Sequence, residues 1–427
     1  MNKIKPFRAI LYNKHKIKDL SRVVCPPYDI ISEADQEYYH ELSPYNLIHI
    51  LLGKETPGED KYRKAARYFK DWLLEGVLTP DDAPAIYFYS QQYYLKGEKR
   101  TRLGFISLLK LDDNNAAVFG HEHTRLAPKE DRLKLIKQVK ANLSPIFVIC
   151  QDHKRIIQRV YQKNIQDKEP IIDIIDRDKV AHKLWRLDSP ALLADIESSM
   201  SKENMFIADG HHRYEVACAF RDEMKGKLGA GSTGEEDFNY ILSYFTNTDS
   251  RGLSILPVHR LLKLDSQFDL PDFILKLKDY FDVEEIKDKS KFFFLMEKGG
   301  RAEHVLGIYK DKKFWLLRLK NIKILDKEIR DKPDAYKSLD VSILNHIVLN
   351  EILGKGVGDS VGLTYSPNAE EFMGRVDSDG SFIAFFLNPV NVQHIITVAL
   401  SKERMPPKST YFYPKVLSGL VMNKFEI

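Results

Sequence analysis

The sequence predicts an α+β protein with mixed sheets, and two observations lead to this fold class. Helical and strand patterns follow each other irregularly along the 427 residues, without the strand–helix alternation of a doubly wound sheet or a TIM barrel. The composition is globular, with 43% hydrophobic and 30% charged residues, which excludes a wholly disordered or fibrous chain. At roughly 150 residues per domain, we expect domains at 1–150, 151–265 and 266–427.

Three helices are predicted from the spacing of apolar residues and from signals at their ends. Apolar residues recur at i, i+3 and i+4 spacing over 60–75, and Gly76 follows as a stop. A second helix is predicted over 130–141, with its apolar residues on one face. Asp340 is a candidate N-cap for a third helix over 341–353.

Short apolar and aromatic runs predict the strands. The runs 85–95 and 101–111 are rich in Tyr, Phe, Ile and Leu, and Gly97 lies between them, so they predict a hairpin. The other predicted strands are 145–150, 239–246, 304–309, 314–319 and 381–387.

Charge and cysteine content exclude several classes of protein. The net charge is only +4 and there is no basic tail, so a dedicated polyanion binder is not expected. The three cysteines are far apart and form no C-x-x-C pair, which argues against a disulfide framework. The N-terminus has no apolar signal region, and polar residues interrupt the uncharged stretch 381–401. We therefore expect a cytoplasmic protein with no membrane partner.

The segment Asp-Gly-His-His-Arg at 209–213 is the most informative in the chain. It lies between a predicted strand over 205–208 and a predicted helix, where the first helical N–H groups and the helix dipole favour an anion. Gly210 lets the backbone approach a ligand, Arg213 can grip phosphate oxygens, and Asp209 can hold Mg²⁺ or accept a proton. The alternative is that Asp209 is only an N-cap in a solvated first turn. Five such residues after an apolar strand favour a site.

A second polar cluster follows an apolar run at 116–119. His121 and His123 could share one face of an extended segment, with Glu122 on the opposite face. A zinc site would need at least one more ligand, which the sequence does not identify. Zinc is therefore the less favoured interpretation.

Two further segments carry polar groups after apolar residues. In 405–414, Lys408, Ser409 and Thr410 are candidate phosphate donors, although the segment lacks the glycines of a P-loop. In 257–260, a His-Arg pair ends an apolar stretch and is interpreted as a surface feature.

Five short motifs spread along the chain form a set. They are Pro-Pro-Tyr-Asp at 26–29, Ser-Pro-Tyr-Asn at 43–46, His-Glu-x-Thr at 121–124, Asp-Gly-His-His-Arg at 209–213 and Lys-Ser-Thr-Tyr-Phe-Tyr-Pro at 408–414. Together they resemble the domain-of-unknown-function 1015 family of bacteria and archaea over nearly the whole chain. The family name carries no activity.

The motif at 209–213 also resembles the nucleotide-binding signature of ParB/sulfiredoxin-like proteins, including free serine kinases. The kinase motif is Asp-Gly-His-Thr-Arg, and His212 stands in place of its threonine. The resemblance implies a ParB/sulfiredoxin-like strand-loop-helix nucleotide site. It places Asp209 near Mg²⁺ or the substrate hydroxyl. The nucleotide-binding residues that follow from this and from the C-terminal segment are Gly210, His211, His212, Arg213, Lys408, Ser409 and Thr410.

The leading hypothesis is a phosphotransferase that uses ATP or ADP with Mg²⁺. Its acceptor would be a small hydroxylated metabolite, with free L-serine, converted to O-phosphoserine, as the best candidate. Protein catalysis of this kind consists mainly of positioning and charge neutralisation. The predicted catalytic residues are Asp209, Glu122 and His211, of which Asp209 and Glu122 are also the predicted metal ligands.

Two alternatives remain open. The first is a non-catalytic nucleotide-binding regulator or a ParB-like nucleic-acid binder, although no helix-turn-helix is evident and nucleic acid is not the expected partner. The second is a metal hydrolase that uses His121 and His123.

Overall fold

The computed structural model describes residues 3–112, 117–122, 126–355 and 362–426. Contacts along the chain divide it into two compact units. The first contains the chain up to Gly120, the stretch that ends at Ser254 and the C-terminal segment from Pro414. The second contains 255–413 together with His121 and Glu122. The three contiguous domains predicted from the sequence stay a prediction.

Both units combine helices with strands. In the described residues the helices are α1 (Glu33–Leu42), α2 (Ile48–Leu51), α3 (Lys61–Leu74), α4 (Leu126–Val139), α5 (Ile156–Asn164), α6 (Pro190–Met200), α7 (His211–Leu228), α8 (Leu270–Tyr280), α9 (Lys289–Gly299), α10 (Leu325–Glu328), α11 (Asp334–Lys337), α12 (Asp340–Ile343), α13 (Ala369–Ser378) and α14 (Val392–Leu400). A π-helix, Leu344–Ile352, continues α12.

Most of the strands are short, and β4 and β5 are the long exceptions. In chain order they are β1 (Ile4–Lys5), β2 (Ile10–Tyr12), β3 (Leu78–Pro80), β4 (Ile86–Leu95), β5 (Glu98–Lys110), β6 (Val118–Phe119), β7 (Ala141–Asn142), β8 (Ile146–Cys150), β9 (Ile172–Ile175), β10 (Ala181–Leu187), β11 (Met205–Asp209), β12 (Tyr240–Asn247), β13 (Ser254–Leu256), β14 (His259–Lys263), β15 (Phe281–Ile286), β16 (Val305–Lys310), β17 (Lys313–Leu319), β18 (Leu363–Ser366), β19 (Phe382–Phe386), β20 (Tyr411–Tyr413) and β21 (Asn423–Lys424).

A mixed sheet forms the centre of the first unit. Its strand order is β6-β11-β8-β12-β5-β4-β10-β9, and β1 also pairs with β5. The pairs β6–β11 and β8–β12 are parallel, and the other pairs are antiparallel. The predicted hairpin is confirmed as β4 and β5, joined at Lys96 and Gly97, which both have positive φ. Such a two-residue turn matches the twist of the strands that it joins.

One inner strand of this sheet, β11, ends at the Asp-Gly-His-His-Arg motif. All five residues of β8 are buried, as expected for a strand covered on both faces. β11 pairs with β8, and the register shifts between Ile207 and Asp209. A bulge of this kind changes the direction of the side chains that follow it. The shift therefore falls where β11 reaches the Asp-Gly-His-His-Arg motif.

A separate antiparallel sheet organises the second unit. Its order is β15-β17-β16-β19-β14-β18, with α9 and α13 packed on a phenylalanine-rich core. The predicted strands over 304–309, 314–319 and 381–387 are confirmed as β16, β17 and β19. Each predicted end lies within one residue of the observed end. The predicted mixture of helices with several sheets is thus confirmed.

The predicted helix ends agree with the structure in one case and differ in two. Asp60 caps α3, and its carboxylate accepts from the N–H groups of Tyr62 and Arg63. Helix α4 begins at Leu126, earlier than the sequence predicts. Asp340 is not an N-cap: it is the first helical residue, and its carboxylate contacts Nδ1 of His304 at 2.9 Å. The prediction failed because this side chain finds a partner far away in the sequence.

No helix in the described part of the chain is long and apolar enough to cross a membrane. The uncharged stretch 381–401 instead forms β19 and α14.

Candidate functional site

The predicted strand-to-helix junction is present in the first unit. β11 ends at Asp209, Gly210 has a φ of +90°, and α7 begins at His211 and runs for 18 residues. A Cβ atom on Gly210 would lie 2.9 Å from Cγ2 of Ile146 and 3.0 Å from the guanidinium of Arg213. The backbone conformation and the packing therefore both require glycine here.

Asp209 is held between two cations. Its Oδ2 accepts from Nη2 of Arg213 at 2.8 Å, and its Oδ1 accepts from Nζ of Lys415 at 2.6 Å. The three side chains are 14%, 11% and 10% exposed. Burial alone would raise the pKa of Asp209, but Lys415 and Arg213 outweigh it and hold that pKa well below its ordinary value. The carboxylate is therefore ionised at neutral pH.

These contacts decide against Asp209 as a simple helix cap. The residue at the N-cap position is Gly210, which has no side chain to offer to the first turn of α7. Nη1 of Arg213 also donates to the carbonyl of Pro145, so this guanidinium links the start of α7 to the residue before β8. Nε of Arg213 is buried and has no hydrogen-bond partner among the described residues. A buried donor of this kind is unusual and suits a ligand.

Lys415 was not identified from the sequence, although it directly follows the motif at 408–414. Two buried side chains fix its backbone. Nε2 of Gln91 donates to the carbonyl of Lys415 at 2.8 Å, and Nη2 of Arg102 donates to the carbonyl of Pro414. Nε of Arg102 in turn donates to Oε1 of Gln91 at 3.1 Å. These contacts hold the ammonium group of Lys415 beside Asp209.

The C-terminal segment also contacts the Pro-Pro-Tyr-Asp motif and Ser144 in the first unit. The N–H of Ser418 donates to the carbonyl of Cys25 at 2.8 Å, next to the Pro-Pro-Tyr-Asp motif. Oγ of Ser418 lies 2.6 Å from Oγ of Ser144. β21 pairs with β7, immediately before Ser144. Segments that are hundreds of residues apart thus meet around the junction.

The two motif histidines lie at the start of α7. His211 is 6% exposed, and its ring lies 3.3 Å from the position that a Cβ atom on Gly120 would occupy. It is close enough to Asp209 to lower the pKa of that carboxyl when the imidazole is protonated. His212 is partly exposed. Their catalytic and nucleotide-binding roles stay predictions.

The second polar cluster and the Lys-Ser-Thr segment meet in the second unit. Oε1 of Glu122 accepts from the backbone N–H of Lys408 at 3.2 Å. Nε2 of His121 lies 3.3 Å from Oγ1 of Thr410. Oγ of Ser409 donates to the carbonyl of Pro406 within the same turn. The roles predicted for these residues in catalysis and nucleotide binding stay predictions.

No group of three or more His, Cys, Asp or Glu side chains in the described part of the chain could hold a metal ion. His123 and Thr124 lie outside the described residues. Both oxygens of Asp209 already accept from cations, which is an unfavourable setting for a further cation at that carboxylate. The metal roles of Asp209 and Glu122 stay predictions.

The His-Arg pair at 259–260 is not a surface feature, so that interpretation was wrong. His259 is 5% and Arg260 is 1% exposed. Nη2 of Arg260 donates to the carbonyl of Lys408 at 3.1 Å. Nδ1 of His259 accepts from the N–H of Leu387 at 3.2 Å. The pair belongs to the interior of the second unit because β14 lies between β18 and β19.

This buried histidine predicts a pH-dependent stability. Burial, and then the charge of Arg260, lower the pKa of His259 to about 3 from an ordinary 6.5. Between these values the unfolded chain binds the extra proton, so the folded state loses stability as the pH falls below 6.5. We expect the free energy of unfolding to drop by roughly 2–3 kcal/mol from pH 7.5 to 4.5 through this group.

Urea unfolding at both pH values measures this effect. The variant His259→Gln is expected to lose that part of the pH dependence, while His15→Gln, at an exposed position, is expected to retain it. An equal pH dependence in the wild type and His259→Gln would contradict the assignment.

Comparison with known proteins places the chain in a family. A family model matches residues 4–342 and is described as a protein of unknown function (DUF1015). The chain therefore belongs to the DUF1015 family, as the five motifs indicate. No curated protein matches the chain.

Three solved structures are similar in part. One is a free serine kinase variant in complex with ADP, at 14% identity and a TM-score of 0.35, covering 72% of this chain and 87% of that chain. Another is a conserved hypothetical protein from Pyrococcus furiosus, at 16% identity and a TM-score of 0.34. The match covers 73% of this chain and 92% of that chain. The third is SbnI with a C-terminal truncation from Staphylococcus aureus, at 12% identity and a TM-score of 0.35. The match covers 73% of this chain and 85% of that chain. Likeness at this level carries no functional argument, so function must be argued from the side chains.

Proposed function

We propose that this protein is a phosphotransferase that moves a phosphoryl group from ATP or ADP to a small hydroxylated metabolite, with free L-serine as the best candidate. The observation that carries the proposal is the ion cluster at the start of α7, where Arg213 and Lys415 share the single carboxylate of Asp209. Its net positive charge and its position favour a bound phosphate.

Three properties of the junction fit nucleotide phosphates. The helix dipole of α7 places partial positive charge at its N-terminus, next to both cations. Gly210 adopts the φ of +90° that lets α7 begin directly after β11, so that its N-terminus lies beside both cations. Nε of Arg213 is a buried donor that a phosphate oxygen would satisfy. The resemblance of the motif to ParB/sulfiredoxin-like nucleotide sites points in the same direction.

The cluster also suggests what each residue does. Arg213 and Lys415 would offset the charge that spreads over the phosphoryl oxygens during transfer. Asp209 would orient both cations, since its lowered pKa makes it a weak base. Mg²⁺ carried by the nucleotide phosphates would supply further charge neutralisation when bound.

³¹P NMR of the purified protein with Mg²⁺, ATP or ADP, and an amino-acid pool tests this proposal. We expect a new phosphate monoester resonance that appears with the pool and matches added O-phosphoserine. A pool restricted to glycine and alanine, which have no hydroxyl group, is the control and should give no such resonance. Nucleotide that stays intact, or that gives only inorganic phosphate, would contradict the proposal.

The second candidate is a regulator that binds nucleotide without turnover. One observation favours it: Asp209 is fixed between two cations and has a strongly lowered pKa, which disfavours proton transfer to it. Nucleotide binding with no phosphoryl transfer to any member of the pool would support this candidate.

A further inference from the structure

A cavity of about 60 Å³ lies beside Arg213 in the first unit. Its polar lining consists of Tyr28, Arg132, Asn142, Ser144 and Arg213, and the rest of its wall is mainly aliphatic. Among the lining residues there are two guanidinium groups and no carboxylate. Tyr28, which belongs to the Pro-Pro-Tyr-Asp motif, and Asn142 have no role in the phosphate site described above.

Two hydrogen-bond donors in this lining have no partner in the described part of the chain. Oδ1 of Asn142 accepts from the N–H of Leu242 at 3.1 Å, and no described residue accepts a hydrogen bond from its Nδ2 group. The hydroxyl of Tyr28 likewise makes no hydrogen bond to a described residue, and only burial and nearby charges act on it. Burial raises the pKa of Tyr28 to about 12, so the hydroxyl stays protonated and can donate.

The charged groups that line the cavity favour an anion. The guanidinium of Arg132 lies 4.5 Å from the centre of the Tyr28 ring and is fixed by Asp131 and by the carbonyl of Leu51. The carboxylates of Asp29, Asp131 and Asp209 lie nearby, but none of them belongs to the lining, whereas Arg132 and Arg213 do. The two guanidinium groups of the lining and the unpaired donors select a negatively charged group. The aliphatic wall and the small volume of the cavity suit an anionic group that is attached to only a few carbon atoms.

We propose that this cavity binds the carboxylate of the phosphoryl acceptor, so that the acceptor is a small hydroxy acid or hydroxylated amino acid. This inference rests on the proposed function and names its substrate class. Tyr28, Asn142 and Arg132 hold the carboxylate, and Arg213 belongs to both the cavity and the Asp209 cluster. The hydroxyl oxygen of the acid forms the new O–P bond. The bond from phosphorus to the bridging oxygen of the nucleotide breaks with its electron pair, and the hydroxyl proton passes to solvent.

Isothermal titration calorimetry of the full chain tests the cavity directly. The probes are L-serine, lactate, ethanolamine, which lacks a carboxylate, and inorganic phosphate. L-Serine and lactate are expected to bind at least about tenfold more tightly than ethanolamine, as a hydrogen-bonded carboxylate warrants. Inorganic phosphate that binds here while both acids fail to bind would overturn the carboxylate assignment.

Two variants locate the binding. Asn142→Asp keeps the acceptor for Leu242 and replaces the amide donor by a negative oxygen, so acid binding should weaken at least about tenfold. Tyr28→Phe keeps the ring against Arg132 and removes only the hydroxyl, so a loss of about threefold to tenfold is expected. Tyr94→Phe, on an exposed tyrosine that is 68% accessible, is the control and should bind as the wild type does. Thermal unfolding shows whether each variant is folded. If Asn142→Asp does not fold, the acid affinity of Tyr28→Phe decides the outcome.

The outcomes separate this inference from the proposed function. Turnover in the ³¹P assay, with an unchanged KM for the acid in both folded variants, would overturn the cavity assignment and leave the phosphotransferase proposal in place. Acid binding that depends on Tyr28 and Asn142, without phosphoryl transfer, would support the cavity as a carboxylate site and overturn the phosphotransferase.

Discussion

Replacement of Asp209 by asparagine is expected to reduce phosphoryl transfer at least about 100-fold and to destabilise the protein by about 3 kcal/mol. The side chain keeps its shape but loses its charge. Arg213 and Lys415, each about one-tenth exposed, then face each other with no anion between them. The loss of activity follows because the two cations lose the group that orients them toward the phosphate. The loss of stability follows because a buried charge is left unpaired.

The pH dependence of this variant gives an independent check. Because the pKa of Asp209 is lowered in the folded state, its contribution is complete above the ordinary value of 3.8 and disappears as the pH falls further. The difference in unfolding free energy between wild type and Asp209→Asn should therefore be constant from about pH 5 to 8 and shrink below about pH 4.

Urea unfolding and the ³¹P assay measure the two effects of Asp209→Asn. Asp249→Asn, at an exposed turn position, is the matched control and should change neither. Normal turnover in Asp209→Asn would show that the ion cluster has no part in the reaction.

Removal of the C-terminal segment after Tyr413 is expected to prevent folding of the first unit. The segment supplies Lys415 to the site, and it also supplies buried apolar side chains. These are Val416, Leu417, Leu420, Val421, Met422 and Phe425. Burial of each such side chain contributes about 1.5–3 kcal/mol to the free energy of unfolding. The loss of all of them therefore matches or exceeds the total free energy of unfolding of a typical domain, about 5–15 kcal/mol.

The segment after Tyr413 lies outside the family match but inside the first folding unit. The match ends at residue 342, whereas the first unit includes the chain from Pro414 onward. Circular dichroism and size-exclusion chromatography of a chain that ends at Tyr413 should show loss of cooperative unfolding or aggregation. A chain that ends at Phe425 retains every buried apolar residue of this segment and should behave as the full protein does. A folded, cooperative protein ending at Tyr413 would contradict this account.

The sequence predicted the local part of the site and missed the long-range part. Strand β11, Gly210 and the start of α7 follow one another directly, so their apolar and polar pattern reveals the junction. Lys415 pairs with a carboxylate 206 residues away, and no local pattern encodes that contact.

Tertiary context also explains the other differences. Asp340 accepts from a histidine 36 residues away instead of capping its helix. His259 and Arg260 are buried because β14 lies between two strands that follow it in the chain. Polar residues beside an apolar run were interpreted as exposed, whereas here the sheet covers them.

The affinity of nucleotide for Lys415→Met tests the central claim most directly. Calorimetric titration of ATP and ADP compares this variant with the wild type and with Lys99→Met, an exposed lysine in the same unit. If the cluster of Asp209, Arg213 and Lys415 binds nucleotide phosphates, the folded Lys415→Met protein should bind at least about tenfold more weakly. Lys99→Met should bind as the wild type does. An unchanged affinity in a folded Lys415→Met protein would contradict the assignment of this cluster as the phosphate site.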